Sequence, residues 1–205
     1  MQSNNNVRSI VFIALFAALF IVMSAIQLKI GLPVPITLQT LAVVLAGVFL
    51  GPRNGFLSIA VVIVLAATGL PLYGGQGGFA ALTGPTAGFI FIFPFCAMLI
   101  GFATRAILSN EMLQRNRIAS SIALFIAFEL FGSFLAYVAG VPWLGHVYNL
   151  SLPKALAAGC YPFLIGDAIK SFVAVIITLS LKPYILRIQS SISPRVRKSD
   201  IKATL

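Results

Sequence analysis

Charged residues are scarce in this sequence. Only 9% of the 205 residues are charged, against about 25% in soluble globular proteins. The acidic ones are fewest, with four Asp and Glu against fourteen Lys and Arg. Because 60% of the residues are hydrophobic and the mean hydropathy is +1.04, the composition excludes an ordinary soluble domain and predicts a membrane protein.

Cysteine and histidine are also sparse. Cys96 and Cys160 both lie in apolar sequence, so we expect no disulfide framework, and no Cys/His spacing predicts a metal site. His146, the single histidine, falls in a predicted loop. The sequence contains no GxxxxGK[ST] phosphate loop and no GxSxG motif, which argues against ATP binding by that loop and against an enzyme.

Six apolar segments predict an all-α membrane protein with six transmembrane helices in a single bundle. A helical span needs about 20 apolar residues. The first segment is too long for the core of a secretory signal, and other spans follow it, so we expect it to remain a permanent span. The second and third are short and are joined by a tight turn, "LGPRNG". The segments are residues 8–28, 36–50, 54–68, 85–107, 117–139 and 159–181.

Gly-x-Pro triplets follow the first, third and fifth segments. Glycine suits the position just past a helix end, and proline shortly afterwards cannot continue the helix. We therefore expect three loops on one side of the membrane. The triplets are Gly31-Leu32-Pro33, Gly69-Leu70-Pro71 and Gly140-Val141-Pro142.

Basic residues set the expected orientation. Lys29 and Lys154 fall on the side of the Gly-x-Pro loops. The positive-inside rule then predicts cytoplasmic termini and an outer position for those loops, in a multi-pass protein of the bacterial cytoplasmic (inner) membrane. Residues 1–186 would form the membrane domain, and residues 187–205 a disordered basic tail that either sets the topology or touches anionic headgroups. The opposite side carries Arg8, Arg53, Arg105, Arg115, Arg117 and the basic residues from 182 to 202.

The glycine-rich loop, residues 69–88, reads "GLPLYGGQGGFAALTGPTAG" and has no charge. Glycine lets the backbone approach another group closely. The loop is either flexible or a lid that folds over an outward-facing solute cavity. Apolar residues on both sides of its glycines favour the lid, namely Leu70, Leu72, Tyr73, Phe79 and Leu82.

Asp167 and Lys170 are opposite charges in the last apolar segment. They share a helix face, and each costs about 2.5–3.5 kcal/mol at the bilayer centre. Either they neutralise each other while Lys170 reaches toward headgroups, or they present an acceptor and a donor to a polar solute in an inner cavity. The spacing favours the second interpretation, and Tyr161 offers a hydroxyl nearly two turns earlier.

Three further features have more than one interpretation. Gln39 would bond either a solute or a neighbouring helix. Glu129, mid-span, would be protonated by desolvation, contact another helix or face a partner subunit. The Ala14-x-x-x-Ala18 pattern in the first segment would let another helix approach closely.

Three stretches, taken in order, resemble the biotin-specific substrate-capture (S) component of energy-coupling-factor (ECF) transporters, the BioY family. They are "PVPITLQTL" at 33–41, "GLPLYGGQGGFAALTGPTAGF" at 69–89 and "YPFLIGDAIKSFVA" at 161–174. The six spans extend this resemblance over nearly the whole chain. The long basic tail, Tyr73, Gln76 and Glu129 have no place in that pattern.

The resemblance implies a biotin-binding uptake subunit that is not an enzyme and needs no cofactor besides the transported ligand. It also implies partners, one membrane coupling subunit and two ATPases, with Ala14 and Ala18 facing the coupling subunit. Such S components are thought to topple in the membrane, and some members are reported to work without the full module.

Biotin, the ligand that this resemblance implies, has groups that suit the polar residues described above. Asp167 would accept from ureido N–H groups, and Lys170 would donate to the ureido oxygen or the carboxylate. Other functions stay open: capture of another small vitamin, an intramembrane enzyme using Asp167 or Glu129 as acid or base, or a non-catalytic assembly protein. The remaining contacts would come from Gln39, Tyr73, Gly75, Gln76, Gly77 and Tyr161.

Overall fold

The computed structural model describes residues 2–28, 31 and 34–192, with side chains described from Asn6 onward. Within these residues the protein is almost entirely helical, apart from one short antiparallel strand pair. The elements are α1 (Gln2–Ala25), β1 (Gln27–Leu28), β2 (Ile36–Thr37), α2 (Gln39–Ala67), α3 (Gly78–Thr83), α4 (Ala87–Ser109), α5 (Glu111–Arg115), α6 (Arg117–Phe128), a π-helical segment (Glu129–Phe134), α7 (Leu135–Tyr148), α8 (Leu152–Gly159), a 3₁₀ turn (Tyr161–Phe163), α9 (Leu164–Ser180) and α10 (Lys182–Ile192).

Five helical stretches in the described part of the chain are long and apolar enough to cross a membrane. The count is five rather than the expected six because the second and third segments both lie within α2. The chain is thus an all-helical membrane protein with five to six crossing helices. The stretches are Asn6–Ala25, Gln39–Ala67, Ala87–Ser109, Arg117–Tyr148 and Leu152–Ser180.

Helix α2 is a hairpin of two helical arms. Gly51 interrupts it with a φ of 72° and a ψ of −175°, and Pro52 follows. A Cβ built on Gly55 would lie 3.1 Å from the Ala46 carbonyl oxygen, so the arms pack directly against each other. The tight turn expected in "LGPRNG" is confirmed, and glycine is required there because this backbone region is almost closed to other residues.

Helix α4 runs through the centre of the bundle and packs closely on the α2 hairpin. A Cβ on Gly47 would come within 2.4 Å of the Ala97 carbonyl oxygen, and one on Gly101 within 2.4 Å of the Pro52 nitrogen. Small residues at helix interfaces permit this approach of the two backbones. The largest side chains of the surrounding core are fully buried, among them Phe20, Ile59, Ile100, Phe128 and Leu144.

The crossing stretch Arg117–Tyr148, which contains the fifth apolar segment of the sequence, does not end where the sequence predicted. Gly140 and Pro142 lie inside α7, which continues to Tyr148 and ends at Asn149 in the left-handed conformation. Proline is tolerated within membrane helices because neighbouring groups satisfy the freed backbone carbonyl. The predicted stop at Gly140-Val141-Pro142 is therefore wrong, and His146 lies in the last turn of a helix, not in a loop.

The predicted domain boundary at residue 186 falls inside α10. This helix buries Ile185, Gln189 and Ile192 against the bundle. The Gln189 amide donates to the Val48 carbonyl oxygen at 2.7 Å and accepts from Arg105 Nε at 2.9 Å. Residues 187–192 are thus helical and packed, contrary to the expected disorder, and residues 193–205 lie outside the described part of the chain.

Candidate functional site

A cavity of about 450 Å³ lies between the N-terminal end of α2, helices α4, α7 and α9, and the glycine-rich loop. A volume of this order suits a small molecule. Asp167 and Lys170 line it from α9, Gln39 and Thr40 from α2, and Tyr137 from α7. The cavity therefore collects polar side chains from three helices that are far apart in the sequence.

The Asp167–Lys170 pair is an ion pair in the wall of this cavity. Lys170 Nζ lies 2.7 Å from Asp167 Oδ1, and the side chains are 11% and 4% exposed. The i, i+3 spacing on α9 puts both heads on one helix face, as the sequence predicted. Because Lys170 lies in the cavity wall, the interpretation in which it reaches toward headgroups is wrong.

Thr40 and Tyr137 complete a four-residue polar cluster around the carboxylate. The Thr40 hydroxyl lies 3.2 Å from Asp167 Oδ1 and accepts from Lys170 Nζ at 3.0 Å, while the Tyr137 hydroxyl donates to Asp167 Oδ2. Neither residue was predicted from the sequence. The available signals were the position of Thr40 beside Gln39 and a phenol among the apolar residues at the start of α7.

The cluster retains hydrogen-bonding capacity toward the cavity. Asp167 accepts from Lys170, Thr40 and Tyr137, and a carboxylate has about four acceptor positions. Lys170 donates to two oxygens and has three N–H groups. The ion pair, which has no net charge, can therefore offer one donor and one acceptor to the same polar ligand while keeping the hydrogen bonds within the cluster.

The remaining cavity wall is largely aromatic and aliphatic. Phe89, Ile90 and Phe93 line it from α4, Ala136 from α7, and Phe163 from the 3₁₀ turn. Such walls stabilise the apolar part of a ligand by removing it from water. The cavity therefore suits a molecule with a compact polar group attached to an apolar body.

The glycine-rich loop is folded over the cavity. Tyr73 and Gln76 line the cavity and form an antiparallel bridge, with N–H···O distances of 2.9 Å and 3.1 Å. Gly75 and Gly77 are not among the lining residues. Gly75 has a φ of +87°, and a Cβ on Gly77 would lie 2.0 Å from the Leu70 carbonyl oxygen. These two glycines shape the loop, and the ligand contacts expected of their backbone stay a prediction.

Packing of the loop is less complete than the sequence suggested. Tyr73 is buried, and Leu72 and Leu82 pack against the core. Leu70 and Phe79 are 46% and 81% exposed, so two of the five apolar residues lie on its outer surface. The loop is nevertheless a structured cover, which supports the lid interpretation over a flexible connection.

Two contacts attach the loop to neighbouring helices. The Ser24 hydroxyl near the end of α1 lies 2.8 Å from the Leu72 carbonyl oxygen, and Trp143 Nε1 on α7 donates to the Gly84 carbonyl oxygen at 2.9 Å. Gly74 sits against Gln27, where a Cβ would come within 1.9 Å of Nε2. The cover is therefore attached to both α1 and α7.

Tyr161 does not contribute to the cavity. It is 57% exposed and is absent from the cavity wall. The 3₁₀ turn at Tyr161–Phe163 changes the rotation of the chain ahead of α9, so Phe163 lines the cavity instead. The prediction that Tyr161 faces the cavity is wrong.

Glu129 is at the first position of the π-helical segment and is not among the residues of the cavity wall. Its Oε1 atom is buried and has no hydrogen-bond partner among the described residues. The three interpretations of Glu129 given above therefore all stay predictions.

Comparison with known proteins adds independent evidence. A family profile described as the BioY family matches residues 1–187. A biotin transporter BioY from Rhizobium etli is 35% identical over 83% of this chain and 90% of that protein. A probable biotin transporter BioY from Pyrococcus horikoshii is 36% identical over 85% of this chain and 96% of that protein.

A solved structure has the same fold. The crystal structure of the S-component for biotin from an ECF-type ABC transporter matches with a TM-score of 0.77 and 31% identity, and the match covers 89% of this chain and 95% of that one. Because the profile matches residues 1–187 and both sequence and fold agree with these relatives over most of the chain, the chain belongs to the BioY family.

Proposed function

We propose that this chain is the membrane-embedded, biotin-binding capture subunit of an ECF transporter. One observation carries the proposal: the hydrogen-bonded cluster of Asp167, Lys170, Thr40 and Tyr137 lines an apolar cavity under a structured loop. A charged pair in a membrane helix is costly and is retained mainly for function. The names of the BioY relatives point to the same ligand.

Biotin matches the bonding capacity of the cavity. Its ureido ring has two N–H donors and one carbonyl acceptor, which complement the free acceptor of Asp167 and the free donor of Lys170. The amides of Gln39 and Gln76, both in the cavity wall, supply further donors and acceptors. The thioether ring and aliphatic tail fit the aromatic wall. A vitamin without a ureido group would leave the free acceptor position of Asp167 and the free N–H of Lys170 without a partner.

The proposed orientation puts both termini in the cytoplasm and the glycine-rich loop outside, in a bacterial cytoplasmic membrane. Its support is the distribution of basic residues, which are concentrated at the end of the bundle that carries Arg53 in the α2 turn, Arg105 at the end of α4 and Arg117 at the start of α6. In this orientation the cavity opens toward the side from which a nutrient arrives.

The proposed partners are a membrane coupling subunit and ATPases, which would supply the energy. Ala14 and Ala18 lie on the exposed face of α1, whereas Ala17 is buried in the core. Val11 and Leu15 on the same helix are each 58% exposed. This docking face of α1, defined by Ala14 and Ala18, has the small residues that close contact with another membrane helix needs.

Binding of biotin by the purified protein in detergent tests the proposed ligand. We expect saturable one-to-one binding by calorimetry and a change in tryptophan fluorescence, because the single tryptophan, Trp143, donates to the loop carbonyl of Gly84. A small vitamin without a ureido ring, such as thiamine, serves as the control. Equal affinity for biotin and thiamine, or no binding of biotin, would contradict the proposal.

Substitution Ala14→Trp tests the docking face. The bulky side chain points away from the core, so biotin binding should stay within about twofold of wild type, while uptake by cells that supply the ATPase module should fall at least about tenfold. Ile122→Trp, at a 55% exposed position of α6, is the matched control and should leave uptake unchanged. Normal uptake by the Ala14→Trp protein would mean that the coupling subunit docks on another surface.

A further inference from the structure

The hydroxyl of Tyr73 is a buried polar group without a hydrogen-bond partner among the described residues. The side chain is only 5% exposed, and it belongs to the cavity wall. Buried hydroxyls are nearly always hydrogen-bonded, and one without a protein partner calls for an explanation. By contrast, the donor groups of the four-residue cluster, on Thr40, Tyr137 and Lys170, all have protein partners.

The position of this ring is fixed from several sides. The backbone of Tyr73 pairs in both directions with Gln76, and its ring packs edge-on against Phe20 with centroids 6.0 Å apart. The preceding carbonyl, of Leu72, is held by Ser24 of α1 at 2.8 Å. The unpartnered hydroxyl therefore belongs to a well-packed residue and not to a loosely placed side chain.

We propose that the Tyr73 hydroxyl is a specificity-determining contact, which finds its hydrogen-bond partner in a polar group of the bound ligand. This inference rests on the proposed function, and it gives the glycine-rich loop a particular role in that function. The loop then takes part in recognition in addition to covering the cavity, since its one phenol hydroxyl has no partner among the described residues and would gain one from a matching polar atom of the solute.

The chemistry of the group fits this role. Burial raises the pKa of the Tyr73 phenol above its ordinary value, so the group stays protonated and can act as donor and acceptor. Recognition through a buried hydrogen bond discriminates strongly, because a ligand lacking the matching group leaves the protein atom unpaired. An apolar side chain at the same place would bind such ligands with little loss of affinity.

Tyr73→Phe tests the inference, because it removes the hydroxyl and keeps the ring. We expect the Kd for biotin, measured by calorimetry in detergent, to rise about five- to fiftyfold. Tyr161→Phe makes the same change at an exposed phenol outside the cavity wall, and it should change the Kd for biotin by less than about twofold. The melting temperature without biotin should be unchanged or higher in Tyr73→Phe, since the lost hydroxyl has no protein partner.

Each outcome has a definite meaning. Wild-type affinity in Tyr73→Phe, with biotin still bound by the wild-type protein, would overturn this inference and leave the proposed function intact. Weaker binding together with a melting temperature several degrees lower in the absence of biotin would assign Tyr73 a structural role and would also overturn it. If the wild-type protein bound no biotin, the proposed function would fail, and this inference with it.

Discussion

Lys170→Met is expected to weaken biotin binding at least about a hundredfold. The substitution leaves the Asp167 carboxylate, which is 4% exposed, with Thr40 and Tyr137 as its remaining partners. Removing one member of a buried ion pair costs about 3–5 kcal/mol, and the cavity also loses its free N–H donor. Calorimetry with purified protein measures the affinity, and thermal unfolding in the same detergent measures the accompanying loss of stability.

Two variants separate the loss of recognition from the loss of stability. The double variant Asp167→Asn with Lys170→Met removes both charges, so it should recover most of the melting temperature and still bind biotin poorly. Lys154→Met makes the same chemical change at an exposed position of α8. It should alter neither the affinity for biotin nor the melting temperature. If the Lys170→Met protein folded and bound biotin with wild-type affinity, the ion pair would not be part of the binding site.

Gly51→Ala is expected to destabilise the bundle by about 3 kcal/mol or more. The φ of 72° and ψ of −175° at this turn lie in a region that is essentially restricted to glycine, and strain of this kind costs about 1–3 kcal/mol. A Cβ would also come within 2.3 Å of Arg105 Nη2, and Arg105 is held in place by Gln189. The loss should appear as a lower yield of monodisperse protein and a lower melting temperature.

Gly166→Ala is the matched control for this substitution. Gly166 lies within α9, beside Asp167, and a Cβ there would meet nothing within 4 Å. Alanine should therefore be neutral or stabilising by about 0.5–1 kcal/mol, because glycine is unfavourable inside a helix. A Gly51→Ala protein as stable as Gly166→Ala would mean that the two arms of α2 are not joined by the turn described above.

The charged part of the site could be predicted from the sequence because charge is expensive in a membrane. Asp167 and Lys170 stand out against an apolar background, and their spacing allows one arrangement on one helix face. Thr40 and Tyr137 could not be found in this way, since neutral hydroxyls are common in membrane helices and cost little. Only the packing of α2 and α7 against α9 identifies them.

The errors have a shared physical origin. The prediction of a helix end at Gly140 and Pro142 uses a rule that holds where water can satisfy a freed carbonyl, whereas a membrane bundle offers protein partners instead. The prediction for Tyr161 requires one continuous helix, and the 3₁₀ turn at Tyr161–Phe163 changes that register. Local signals located the apolar segments well, but they did not determine how each segment continues or turns.

The Ser24 hydroxyl lies between two carbonyl oxygens, that of Ile21 within α1 at 2.7 Å and that of Leu72 in the loop over the cavity at 2.8 Å, so the end of α1 directly contacts this loop. The same helix carries the small-residue face at Ala14 and Ala18, so the proposed docking face and one attachment point of the loop lie on a single helix. If a coupling subunit docks on that face, as proposed above, a substitution that reorients α1 should also change the rate at which a ligand enters and leaves the cavity.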